Sequence, residues 1–482
     1  MLKIKTSVLI IFLIVMTAQL SFTQHDKQIL LDEYLKQYIT NKNIPSITAG
    51  ILKDNKVLWI GVNGLADIEN NIAATKSSVY RIASITKPIT AVAILQLWER
   101  GLIDLDKDAR NYIPNFPEKK WKFTIRQLLS HTAGIRSYKD GEFHSKKYFS
   151  STQEAIKVFA YDSLDFEPGT NYEYTSLAFS LLAAIVENVS KQSFESYLIQ
   201  NIFNPAGMKS TYVDKQKEII PHRAKGYEKD FRRKIVNAPL ADLSIKVAGG
   251  GLLSNSEDLL LFAKSLIDGT ILKPSSLQLM SKQTKLKNGK KIDYGLGFAL
   301  EFNGDSLIAI THTGGGTGFS TKLSIYPDKN MAAVHLINIS DRNLCLPCDD
   351  LLKIELTNEI PVPAKTISDE LMKVYLKNGI DSALVKLEEI FVIESSSYTI
   401  NETEAIYFSK DLLGLKRNAD AILYLKELLK KYPKSWEIFA ALGDAYYKDK
   451  NEGLAIRHYR MAAQINNNEP HVNEMIKKLS SK

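Results

Sequence analysis

The sequence predicts a mixed α/β fold, with an antiparallel sheet packed against helices and a helical subdomain, followed by an all-α region. Three observations carry that expectation. A strand hairpin stands near the N-terminus, four further strands cluster after residue 290, and beyond residue 361 strand patterning gives way to a helical repeat. The chain has 482 residues and is 45% apolar, more than one hydrophobic core usually organises. The expected division is a signal peptide over 1–23, a mixed domain over 24–360, a linker over 361–366 and helical repeats over 367–482.

The first residues run from Met1-Leu2-Lys3-Ile4-Lys5 through the apolar stretch Val8 to Met16, then to Thr17, Ala18, Ser21 and Thr23. A basic start, an apolar run well under the roughly 20 residues that span a bilayer and a small-residue zone read as a secretory signal. Export to a periplasmic or extracellular space is expected, with tethering by an uncleaved signal anchor as the alternative. No cysteine near the cleavage zone offers a lipid attachment point.

Apolar residues then recur at helical spacing in Ile29-Leu30-Leu31 and Tyr34-Leu35. Ser46 to Leu52 and Val57 to Val62 read as strands turned by Asp54-Asn55-Lys56. The stretch from Ile85 to Trp98 is apolar and helical, and residues 105–270 read as helices and loops broken by Pro and Gly. Strands return at Tyr294–Phe302, Leu307–Thr313, Thr321–Tyr326 and Met331–Ile339, with Pro327-Asp328-Lys329-Asn330 as a turn. One sheet is therefore expected from both ends of the first domain.

Pro361-Val362-Pro363 resists helix and suits a linker. Beyond it Gly443, Tyr446, Ala455, Tyr459 and Ala462 form a helix-turn-helix pattern, and Ala421, Leu425 and Leu428 repeat its second half 34 residues earlier. That is the tetratricopeptide period. Leu371 to Ile390, with Ala383 and Leu387, reads as a degenerate third copy. Such an array exposes an apolar face, so it is expected to dock on the first domain or on a protein partner.

The net charge of +8 comes from 62 basic and 54 acidic residues scattered along the chain, which does not suggest nucleic-acid binding. The two cysteines, Cys345 and Cys348, have no second pair, and the eight histidines lack ligand spacing, so no zinc site or cofactor is expected. A short disulfide or two free thiols in a loop fits an exported chain better than a redox pair.

Ser84-Ile85-Thr86-Lys87 sets a hydroxyl one helical turn from an amine. A partly neutral Lys87 could then take the Ser84 proton during attack on a carbonyl. An unperturbed lysine is only about 0.04% neutral at pH 7, so the chemistry requires burial or a neighbouring cation. By itself the tetrad also fits a helix start with Ser84 as N-cap. A second group, Pro168-Gly169-Thr170-Asn171-Tyr172-Glu173-Tyr174-Thr175-Ser176, precedes the helical stretch Leu177 to Val189. Beside an ammonium, the Tyr174 phenol would have a lowered pKa and could relay protons. A third, His312-Thr313-Gly314-Gly315-Gly316, ends an apolar strand whose glycines admit a ligand close to backbone N–H groups.

In this order the three groups resemble the active-site set of the serine β-lactamase and penicillin-binding protein superfamily, class C in particular. Agreement extends to Leu128–Gly134, Asn204–Met208, Ala248–Ser254 and Tyr294–Gly297. The resemblance implies Ser84 as acylated nucleophile, Lys87 as proton acceptor and Tyr174 as base or relay. It implies an oxyanion hole from the N–H groups of Ser84 and Gly315, and substrate contacts from Ser176, His312, Thr313 and Gly314. His131 is expected to be structural. Many relatives have Asn in place of Ser176 and many lactamases have Lys in place of His312, which weakens amide binding and carboxylate recognition and turns the expectation towards an esterase or a D-amino-acid-type peptidase. A cell-wall D,D-carboxypeptidase or weak β-lactamase is the nearest alternative. An exported scaffold acting through its repeats is the non-catalytic one.

Overall fold

The computed structural model describes residues 25–341, 347–393, 395–467 and 469–481, so the expected signal segment and Cys345 lie outside the described residues. Helix α1 (residues 25–42) leads into β1 (Ser46–Lys53) and β2 (Lys56–Asp67). Both residues of the connecting turn, Asp54 and Asn55, have left-handed φ of 51° and 61°. That is the geometry of a tight hairpin turn, and Asp and Asn tolerate it. The sheet adds β3 (Ile72–Ala73), β4 (Ala299–Asn303), β5 (Ser306–Gly316), β6 (Phe319–Tyr326) and β7 (Met331–Ile337). Its order is β4-β5-β6-β7-β1-β2-β3, antiparallel throughout.

The central strands are covered on both faces, so β1 and β7 are buried almost residue by residue instead of alternating. On one face Leu31, Tyr34 and Leu35 of α1 pack with Leu351, Leu352 and Ile354 of a later helix against Ile47, Ala49 and Ile51. The main core lies on the other face. There α2 (Thr86–Glu99), α3 (Leu177–Ser190) and α4 (Ser256–Ile267) form a helical layer with the residue 105–270 insertion. All of Thr86 to Leu97 is buried, so α2 is a central helix without a polar face.

Two strand expectations change. Tyr294 to Phe298 is not part of the strand, which begins at Ala299; Gly297 turns left-handed (φ 85°), and a Cβ there would overlap Ala91 of α2. The last strand ends at Ile337 because Asn338 leaves the ladder to bind the Leu65 and Lys225 carbonyls and Ser46. Cys348 opens α5 (Cys348–Thr357) as a buried free thiol, not a loop residue, with Sγ 3.1 Å from His335 Nδ1. Among the described residues no helix is long and apolar enough to cross a membrane, and no group of three or more His, Cys, Asp or Glu could hold a metal ion.

The C-terminal helices are α6 (Ile367–Val392), broken at Gly379, then α7 (Glu402–Gly414), α8 (Asn418–Lys431), α9 (Trp436–Lys448), α10 (Glu452–Ile465) and α11 (Pro470–Ser480). Glu402 and Trp436, and likewise Asn418 and Glu452, open alternate helices 34 residues apart. These helices bury their own core around Leu371, Phe408, Leu425 and Leu442. They rest on the mixed α/β part through the hairpin of residues 227–237. Lys229 Nζ lies 2.9 Å from Asp341 and 2.7 Å from Asp369, while Arg233 reaches Asp369 at 2.5 Å and Asp341 at 2.9 Å. Both cations are nearly buried, so the cluster survives only fully paired.

Candidate active site

Ser84 sits in a short 3-10 turn, Ala83–Ile85, that runs directly into α2. No side chain caps this helix start, so the N-cap reading of Ser84 does not hold. Ala83 carries a left-handed φ of 46°, a strained conformation for a residue with a Cβ. That strain presents Ser84, partly exposed, above the buried Lys87. Lys87 Nζ lies 3.1 Å from Ser84 Oγ, 2.9 Å from Ser176 Oγ and 2.7 Å from the Gly249 carbonyl. Among the described residues no carboxylate pairs with it. Burial, reinforced by the positive charge of Lys246, holds its pKa well below the usual lysine range. A neutral amine has two donors and one lone pair. Donation to Gly249 and Ser176 leaves the lone pair for the Ser84 hydroxyl, the arrangement of a general base.

Tyr174 lies in the loop just before α3, with its ring centroid 4.7 Å from Lys87 Nζ and its side chain beside Ser84. The expected lowering of its pKa is not found. Burial pushes the phenol up, and the nearby Ser84 side chain offsets only part of that. The physical reason is that desolvation of the phenol outweighs any help from Lys87, whose own pKa burial lowers. Tyr174 therefore remains a protonated donor.

His131 packs tilted against Tyr174, ring centroids 4.3 Å apart, and on Phe179 and Tyr294 at 5.3 and 4.8 Å. Its Nδ1 accepts the Thr175 N–H, and burial holds its pKa well below 6.5. It positions the tyrosine loop. His312 is buried as well: Nδ1 donates to the Thr313 carbonyl at 2.7 Å, and Nε2 accepts from the Tyr294 hydroxyl at 3.1 Å. With both nitrogens engaged and burial pushing its pKa to about 3, His312 is neutral and does not reach the cleft. Gly314 also differs from expectation. A Cβ there would overlap the Ile82 carbonyl and Thr321, so its smallness serves the packing of β5 on the Ser84 turn.

Gly315 has open space where a Cβ would be, and it lines the same pocket as Ser84 with Gly316. The β4 ladder ends at Thr311, whereas β6 pairs along β5 as far as Gly316, so His312 to Gly316 form a free strand edge. The hairpin closes at Gly316 and Phe319 around two residues, which makes that pair the hydrogen-bonded one. Alternation then turns the Gly315 and Thr313 N–H groups away from β6, towards the cleft. Both residues are exposed.

Sequence reasoning passed over Lys246, Tyr138 and Phe143, and gave Tyr294 no role beyond its place in the Tyr294–Gly297 run. Lys246 lines the Ser84 pocket, donates to the Phe143 carbonyl at 2.8 Å and lies 3.7 Å from that ring's centroid; burial, then Arg81, brings its pKa down to about 7. Its only signal was a place two residues before the Ala248–Gly251 run. Gly249 in that run has a packing reason of its own, since a Cβ would stand 2.8 Å from Ser176.

The family model described as Beta-lactamase matches residues 31–351. The chain belongs to that family. Among curated relatives, the human mitochondrial serine beta-lactamase-like protein LACTB is 27% identical over 379 residues, covering 59% of this chain and 69% of that protein. Penicillin-binding protein 4* of Bacillus subtilis (strain 168) is 29% identical over 290 residues, covering 57% and 64%. Among solved structures, the octameric penicillin-binding protein homologue from Pyrococcus abyssi superposes with a TM-score of 0.57 at 25% identity, covering 72% and 81%. A D-amino acid amidase from Ochrobactrum anthropi SV3 gives 0.60 at 23%, covering 69% and 100%, and shares the fold. The family member described here is a serine hydrolase with a mixed α/β domain and an appended helical region.

Proposed function

We propose that this hydrolase works through an acyl-enzyme on Ser84, cleaving an ester or amide bond as an esterase or a D-amino-acid-type peptidase. The observation that carries the reading is the buried Lys87, 3.1 Å from Ser84 Oγ and without a carboxylate partner among the described residues. Neutral Lys87 takes the Ser84 proton as Oγ attacks the carbonyl carbon. The N–H groups of Ser84 and Gly315 hold the oxyanion, where each such donor contributes about 3–4 kcal/mol. As the intermediate collapses, the protonated Tyr174 gives its hydrogen to the leaving group and regains one from Lys87. Water then attacks the acyl-enzyme, with the same pair removing its proton.

Ser176 is read as an orienting partner of Lys87, Thr313 and Gly315 as substrate contacts along the strand edge, and His312 as a support for Tyr294. The neutral, buried His312 argues against recognition of a substrate carboxylate there, which favours esters and amides over β-lactams and terminal D-Ala-D-Ala. The solved neighbours named for D-amino acid amidase and for EstCE1, a hydrolase with promiscuous acyltransferase activity, make such substrates natural candidates. Export through residues 1–23 and a tetratricopeptide-like unit over 367–482, joined to residues 24–360 by 361–366, belong to the same proposal.

A fluorophosphonate probe tests it. One adduct on the peptide carrying Ser84 is expected, with loss of both adduct and aryl-ester hydrolysis in Ser84→Ala at an unchanged melting temperature. An unlabelled wild type whose ester hydrolysis survives in Ser84→Ala would overturn the proposal.

A further inference from the structure

A groove of about 620 Å³ runs from the free edge of β5 to the C-terminal helices. It shares Phe143, Gly315 and Gly316 with the pocket that holds Ser84, so the two are continuous. Its lining includes Phe143 and His144 and, on the side of the C-terminal helices, Tyr407 and Lys410 of α7 with Phe231, whose ring packs on Gly414. Phe143 and Phe231 are 36% and 54% exposed, aromatic surface that the fold leaves open on this groove. The helical side is fixed in place. Arg233 ties the 227–237 hairpin to Asp369 and Asp411, and Gly414 leaves no room for a side chain against the Phe231 ring.

We infer that the C-terminal helices complete a substrate subsite, in which Tyr407 and Lys410 receive the acyl arm of an elongated, peptide-like substrate. The inference rests on the acyl-enzyme reading above. Direction follows from the proton donor. Tyr174 stands near His312, ring centroids 6.2 Å apart, so the leaving group lies on that side and the acyl arm points the opposite way, past Gly316. The free N–H and C=O groups of the β5 edge pair with an amide backbone, as an added strand does. Glu228, Lys410 and Asp411 stand around the far end, where an aliphatic chain would desolvate charges without pairing them. The volume lies within the range of ligand sites and exceeds what an acetyl group needs. In this arrangement the helices set substrate length, a role for the repeats that requires no protein partner.

The test is a series of esters with one common aryl leaving group and acyl arms of acetyl, acetyl-capped one-, two- and three-residue peptides in both configurations, and octanoyl. The full-length protein should show kcat/KM rising at least about tenfold from acetyl to the best three-residue arm, with no comparable gain for octanoyl. Tyr407→Ala should lower that long-to-short ratio at least about fivefold, and Lys410→Trp, an exposed position where added bulk narrows the groove, should lower it independently. A flat length profile, a ratio unchanged in both variants, or a larger gain for octanoyl overturns the inference. Fluorophosphonate labelling of Ser84 and turnover of the acetyl ester report separately on the acyl-enzyme, so their success beside a flat profile sinks the subsite alone.

Discussion

Gly249→Ala isolates the seat of the proposed base. The new methyl would stand 2.8 Å from both Cβ and the carbonyl oxygen of Ser176, while ordinary contact begins near 3.4 Å. The two segments must therefore part by about 0.6 Å or more. Both carry anchors of Lys87: the Gly249 carbonyl at 2.7 Å and Ser176 Oγ at 2.9 Å. Overpacking of this kind costs about 1–3 kcal/mol, which lowers Tm by roughly 1–4 °C in a domain of this size. A base displaced by a substantial fraction of an ångström costs up to about 10²-fold in rate. Thermal melting and kcat/KM on an aryl acetate read the two effects. Gly315→Ala is the control, because nothing lies within 4 Å of its added methyl; its stability should hold or rise by up to about 1 kcal/mol. A Gly249→Ala protein with wild-type Tm and activity within about twofold of normal would refute the claim that close packing at Gly249 seats Lys87.

Four further outcomes are expected. Since acylation needs the neutral amine, kcat/KM should rise with pH through the Lys87 pKa, with a midpoint well below 10.5. Between that depressed value and 10.5 the unfolded chain binds the extra proton, so stability should also rise with pH across this window. Removing a neighbouring positive charge with Lys246→Met should move the midpoint upwards, and an unmoved midpoint in a pH-rate profile would reject the coupling. Arg233→Met removes one of the two cations that bridge Asp341 and Asp369; breaking a buried pair costs about 3–5 kcal/mol, visible as earlier melting of the C-terminal helices and faster proteolysis over residues 358–366. Cleavage at the wild-type rate would count against this cluster as the clasp.

Much of the architecture was legible in the sequence because it depends on local chemistry. Apolar alternation marked the hairpin, the Asp54-Asn55 turn announced itself by residue type, and the 34-residue period located paired helices whose starts keep that spacing. The spacing of Ser84 and Lys87 likewise follows from one turn of helix. Charge states were decided elsewhere. The pKa values of Lys87 and His312 are pushed down, and that of the Tyr174 phenol up, because segments distant in sequence pack around them, and desolvation has no signature in the residues it acts on. The same holds for Lys246, and for the helices that wall the groove beyond Gly316. Periodicity along the chain specifies what each segment becomes; only tertiary packing determines which groups share a dielectric and which surfaces face one another.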